Sequence, residues 1–161
     1  MANKNIDYVG DVYNLTDRPF NTYPKQLTKY LANRYDIKIG ASILDVGCGR
    51  GEFLQGFISS DLDGYGLDRS SSILEIFNDI NFQQADLEKD GIPYPDNSFE
   101  YVFSKSVIEH FYNPDILGNE IFRVLKLGGL VITMCPFWEY NIKNYFEDYT
   151  HRSPFTKVAL F

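Results

Sequence analysis

The residues best placed to do chemistry are three acids, Asp45, Asp68 and Asp86, alternate glycines at Gly47, Gly49 and Gly51, and the histidines His110 and His151. The glycines fall in the run Ser42-Ile43-Leu44-Asp45-Val46-Gly47-Cys48-Gly49-Arg50-Gly51-Glu52-Phe53. Glycine lets a turn take positive φ and lets a ligand approach the backbone closely. A helix starting behind such a turn presents unpaired N–H groups and the positive end of its dipole. A dinucleotide fingerprint would read G-x-G-x-x-G. This run reads G-x-G-x-G, which argues against a nicotinamide oxidoreductase. The acid Asp45 would repel a pyrophosphate and suits a ligand that carries an ammonium group. Asp68 lies 17 residues after Gly51, near the ~20 expected of a ribose-binding acid. A carboxylate there can accept from both ribose hydroxyls; the plainer alternative is that Asp68 opens a turn.

These groups need a scaffold. Residues 42–46 read as a short buried strand, and Phe53, Leu54, Phe57 and Ile58 recur at helical spacing behind the glycines. Ahead of the strand, Thr22 as a cap, Pro24 in the first turn and an apolar face of Leu27, Tyr30, Leu31 and Tyr35 predict a helix. Further strands are predicted at 65–67, 82–85, 99–104 and 130–134. Ser70 or Ser71 would cap a helix with Ile73, Leu74, Phe77 and Ile80 inward. Asn113-Pro114 would open another, through Leu125, with Ile116, Leu117, Ile121 and Val124 on its face and Gly128-Gly129 ending it. Repeating βα units with near-continuous apolar strands predict one domain, a parallel sheet covered on both faces. The three acids then lie at the carboxyl ends of the first three strands. Open parallel sheets bind ligands there, where the strand order reverses.

Asp45-Val46-Gly47-Cys48-Gly49-Arg50-Gly51 resembles the first motif of class I S-adenosylmethionine (SAM) dependent methyltransferases. Gly66-Leu67-Asp68 is similar to that family's ribose motif, and Gln84-Ala85-Asp86 to the motif whose acid meets the adenine amino group. The stretch from Phe99 to Ser104 resembles its fourth strand, whose end lies beside the methionine part, and Leu125 to Leu130 resembles the turn into its fifth. The match spans residues 42–136 in order. The resemblance implies a doubly wound, mostly parallel Rossmann-like α/β sheet of seven strands, SAM as cofactor, and methyl transfer to some nucleophile. It implies cofactor contacts from Asp45 (near the ammonium), Gly47, Gly49, Gly51, Asp68, Asp86 and Ser104. Transfer would be an in-line displacement, catalysed mostly by positioning and by the surrounding field. A base is needed only if the acceptor is protonated, and the candidate is His110.

The segment Ser106-Val107-Ile108-Glu109-His110 resembles the E-x-x-E-H metal site of quinone-type O-methyltransferases in its last two positions only. Ser106 stands where a carboxylate would be, so no metal is expected. His151 belongs either to an acceptor-side loop or to a surface loop before Pro154.

A net charge of −7 argues against a broad nucleic-acid face, which needs clustered Lys and Arg. Cys48 and Cys135 show neither metal spacing nor a disulfide framework, pointing to a reducing cytosol. The start is polar and no apolar run approaches membrane-spanning length, so no membrane partner is expected. Beyond Pro136 the aromatics Trp138, Tyr140, Tyr145, Phe146 and Tyr149 suggest a substrate-side segment for a small-molecule or glycan-like acceptor. The alternative of another class is a SAM-binding module that does no catalysis. The resembled fold ends in two further strands, which this chain is expected to lack. The strand at 130–134 would then be an apolar, unbulged edge, a hazard for association. The chain is therefore expected to be a fragment of a longer enzyme, or to cover that edge by homodimer formation or with its own tail, where Thr156 would cap a helix over 157–161.

Overall fold

The computed structural model describes residues 15–140 and 142–156; the helix expected over 157–161 lies outside them. The elements in order are α1 (Tyr23–Arg34), β1 (Ser42–Val46), α2 (Glu52–Ile58), β2 (Asp63–Asp68), α3 (Ile73–Ile76), β3 (Asn81–Gln84), β4 (Phe99–Lys105), a 3-10 turn (Ile108–His110), α4 (Pro114–Val124), β5 (Leu125–Met134) and α5 (Ile142–Tyr145). The five strands form one sheet in the order β3-β2-β1-β4-β5, with every pairing parallel. The chain winds outward from β1 through β2 and β3, then returns to the other side of β1 to place β4. The strand order therefore reverses between β1 and β4, and all five carboxyl ends open on one edge.

Continuous burial of Ile43, Leu44 and Val46 makes β1 the sheet's centre. One face packs Leu44, Val46, Leu67, Phe99 and Val102 against Leu117, Ile121 and Val124 of α4. The other packs Ile43, Phe103 and Ile132 against Leu31 of α1 and Phe57 of α2. Helix α1 comes close to α2 because Gly56 has no side chain: a Cβ there would lie 2.3 Å from Thr28 Oγ1. Asn113 caps α4 as expected, its Oδ1 accepting from Asp115 N at 3.1 Å.

Local expectations differ from the structure in several places. Thr22 makes no side-chain cap bond; Asn21 Oδ1 accepts instead, from Tyr23 N at 2.9 Å. The third helix is a single turn starting after Ser72, and Leu74 is exposed. Helix α4 passes straight into β5 at Leu125, and Gly128-Gly129 lie inside that strand. Phe99 pairs with Leu125 but Tyr101 with Leu130, so the register shifts over 126–129, ahead of the expected strand at 130–134, which pairs regularly with β4. Finally, the described part of the tail does not cover β5. Leu127 is fully exposed and Val131 half-exposed, while residues 145–153 fold onto the turn after β4.

Candidate functional site

The alternate glycines turn the chain from β1 into α2 with φ of +73° at Gly47, +52° at Gly49 and +80° at Gly51, all in the left-handed region. Their surroundings differ. A Cβ at Gly47 would lie 2.3 Å from Val107 Cγ2, and one at Gly51 would lie 2.6 Å from Ile73 Cδ1. A Cβ at Gly49 would meet nothing within 4 Å. The first and third glycines are thus needed for packing, and the middle one presents open backbone. Cys48 is filler between them: burial and the acids Asp45 and Asp68 push its thiol up, leaving it inert.

Asp68, at the end of β2, accepts from Gly49 N through Oδ2 at 2.8 Å and from Ser70 N through Oδ1 at 2.8 Å. Burial raises its pKa, and these two amides oppose the rise. Asp45 is buried in β1 between Gly66 of β2 and Phe103 of β4. Burial first, then the charge of Asp68, pushes it up to about 8. Among the described residues its Oδ2 has no hydrogen-bond partner, and neither does the buried Ser104 Oγ at the end of β4. Ser104 pairs with Val46, so both orphaned groups flank the point where strand order reverses. Buried polar atoms are nearly always bonded, and such exceptions call for a reason. A cationic ligand at this sheet edge would satisfy the Asp45 oxygen.

Asp86 follows β3 and bonds within its own turn, to Lys89 Nζ at 2.6 Å and Glu88 N at 3.2 Å; the lysine lowers its pKa. The structure thus groups Asp45, Gly47, Gly49, Gly51, Asp68 and Ser104 at one sheet edge, with Asp86 on the adjoining turn.

His110 sits on the 3-10 turn after β4, reached through Ser106, whose φ is +57°. Burial, then His151, lowers its pKa. Its Nδ1 lies 2.9 Å from Thr150 Oγ1, and the rings of His110 and His151 stand 4.9 Å apart. Glu109 is fully buried, and burial raises its pKa. Its backbone carbonyl accepts from Arg152 N and Ser153 N.

Sequence reasoning passed over two of these contributors. Thr150 carries no local signal, because its partner His110 lies 40 residues away in the chain. Arg50 was hidden among the glycines. It donates to Arg18 O at 2.6 Å and Glu52 Oε2 at 2.8 Å and lies over the Phe20 ring, strapping residues 18–20 to the glycine turn.

Such a turn at the switch point of a 3-2-1-4-5 sheet defines the Rossmann-like class of SAM-dependent methyltransferases. The family model described as methyltransferase domain matches residues 44–133, more than half of the sequence. The chain belongs to this family. It is 31% identical over 117 residues to phosphoethanolamine N-methyltransferase 3 of Arabidopsis thaliana, covering 66% of this chain and 23% of that protein. It is 28% identical over 144 residues to the tRNA (carboxymethyluridine(34)-5-O)-methyltransferase of Saccharomyces cerevisiae, covering 83% of this chain and 50% of that one. The chain therefore spans between 23% and 50% of the length of these relatives. A methyltransferase solved in complex with the Haloferax volcanii Trm112 methyltransferase activator shares the fold, with TM-score 0.75 and 22% identity over 95% of this chain and 70% of that one. No helix among the described residues is long and apolar enough to cross a membrane.

Proposed function

We propose that this chain transfers the methyl group of SAM to a small-molecule or glycan-like acceptor. The observation that carries the reading is the open backbone at Gly49, held by Asp68, in the turn that follows the buried Asp45, whose Oδ2 has no hydrogen-bond partner among the described residues. SAM supplies an activated methyl on a sulfonium, so the protein's work is placement. In this reading Asp45 meets the cofactor's ammonium, Asp68 the ribose hydroxyls, Asp86 the adenine edge, and Ser104 the methionine end beside the three glycines. His110 takes the acceptor's proton where there is one.

Relatives named for phosphoethanolamine and for tRNA leave two acceptor classes to weigh. A net charge of −7 favours the small molecule, because a tRNA face must neutralise phosphates. Two free cysteines, Cys48 and Cys135, fit a reducing cytosol. The exposed edge of β5, with Leu127 and Val131 outward, suits pairing with a second copy, which light scattering reads directly.

The deciding experiment combines calorimetry with SAM and label transfer from methyl-labelled SAM to a panel of amines, phenols, sugars and tRNA. SAM binding with label on a small acceptor supports the reading. No SAM binding at millimolar concentration, or label on tRNA alone, overturns it. SAM binding without label on any acceptor would favour the non-catalytic module.

A further inference from the structure

We propose that Glu109, His110 and His151 bind a divalent first-row transition ion of the Zn2+ class. The sequence has only 2 histidines, and the fold brings both to one buried carboxylate. One ligand atom from each of the three residues lies within 4.8 Å of the others. Glu109 is fully buried, and among the described residues neither of its carboxylate oxygens has a hydrogen-bond partner. Its Oε1 faces His151 Nε2 at 4.0 Å.

The ring nitrogens are already sorted. His151 Nδ1 donates to the Tyr145 carbonyl at 2.6 Å, which leaves the lone pair on Nε2. Thr150 Oγ1 spends its proton on Asp148 Oδ1 at 2.5 Å, so it can only accept from His110 Nδ1 at 2.9 Å. The lone pair of His110 is therefore on Nε2 as well. A second group that fixes the tautomer and the ring is how proteins prepare a histidine for a metal. The loop that brings His151 is pinned: Arg152 N and Ser153 N donate to the Glu109 carbonyl at 2.7 and 3.1 Å, and Ser153 Oγ to the Phe111 carbonyl at 2.7 Å.

Two imidazoles and one carboxylate select a borderline transition ion; Mg2+ and Ca2+ prefer oxygen ligands. Bonds of about 2.0–2.2 Å set neighbouring ligand atoms about 3.3–3.6 Å apart, so side-chain rotation must close the cluster by about an ångström. Ser106 leaves the local motif one ligand short, and the fold replaces it with His151 from the tail. The inference does not rest on methyl transfer. A coordinated lone pair cannot take a proton, so with the ion bound the acceptor is activated by the ion's charge, and a base role for His110 belongs to the ion-free protein.

Because the full chain has only two histidines, nitrogen-15 NMR of the imidazoles reads ligation in the wild type without any variant. At one equivalent of Zn2+, both Nε2 resonances should move together to metal-bound positions. Glu109→Gln should weaken Zn2+ by roughly 10- to 100-fold or more, with no fall in melting temperature in the ion-free state. Zn2+ that moves one histidine or neither overturns the inference and returns His110 to the base role. Mg2+ competing at similar concentration overturns the choice of ion class.

Discussion

The carboxylate of Asp68 accepts the amide N–H of Gly49 at 2.8 Å, tying the end of β2 to the middle of the glycine turn. This bond helps hold the turn and, in the proposed reading, keeps the ribose-binding acid beside it. Asp68→Ala should therefore cost SAM twice, through lost ribose contacts and a loosened turn. Hydrogen bonds to a charged acceptor are worth about 1.5–3 kcal/mol each, so affinity should fall by 10-fold or more. Asp86→Ala should cost less, since Asp86 bonds within its own turn, to Lys89 and Glu88, rather than to the glycine turn. Calorimetric titration ranks the two variants, and equal small losses would count against the ribose role.

The three glycines should separate folding from binding. Gly49→Ala strains a left-handed residue, costing about 1–2 kcal/mol, or a melting shift of about 2–8 °C, and its methyl enters open space. SAM binding should be lost while the fold survives. Gly47→Ala drives a methyl into Val107, 2.3 Å away, and should lower the melting temperature much further. Thermal melts of both variants, with and without SAM, check the contrast. A Gly49→Ala protein that binds SAM normally would remove this backbone from the site.

The sheet was legible because its physics is local. The apolar run at 42–46 and the glycine spacing place β1, its turn and α2 where the structure has them, and the acids follow by strand alternation. The errors fell where local propensity loses to long-range contacts. Gly128-Gly129 looks like a helix stop, yet Leu125 already pairs with Phe99 and the glycines become a bulge. Leu74 keeps helical spacing, but a single turn has no inner face to offer it. The cluster around Glu109 could not be read, because 41 residues separate its histidines and nothing in either segment points to the other.

Asp45 should make both stability and affinity depend on pH. Its carboxyl sits at about 8 when folded, against ~3.9 unfolded. Between those values the folded protein holds a proton that the unfolded chain has released, so stability falls as pH rises from ~4 to ~8. Asp68 and Glu109, also raised, act in the same direction. Asp45→Asn should therefore flatten the fall of the melting temperature between pH 5 and 8 without abolishing it. An ammonium-bearing ligand favours the ionised acid, so SAM affinity should rise with pH up to ~8 in the wild type and stay level in the variant. An Asp45→Asn protein with the wild-type pH slope in both measurements would show that Asp45 is not the titrating group.

His110→Ala should divide binding from turnover. No cofactor contact is assigned to His110, which lies beyond Val107, the residue packed against Gly47. SAM affinity should stay within about twofold, provided the turn keeps its shape. Methyl transfer to a protonated acceptor should slow by about 100- to 10,000-fold, the range for a missing acid–base group. An acceptor with no proton to lose should be methylated at nearly the wild-type rate in the ion-free protein. Single-turnover measurements with labelled SAM, run on one acceptor of each kind, make the comparison. Equal slowing of both would mean that His110 only shapes the acceptor side, through Thr150 and the tail it anchors.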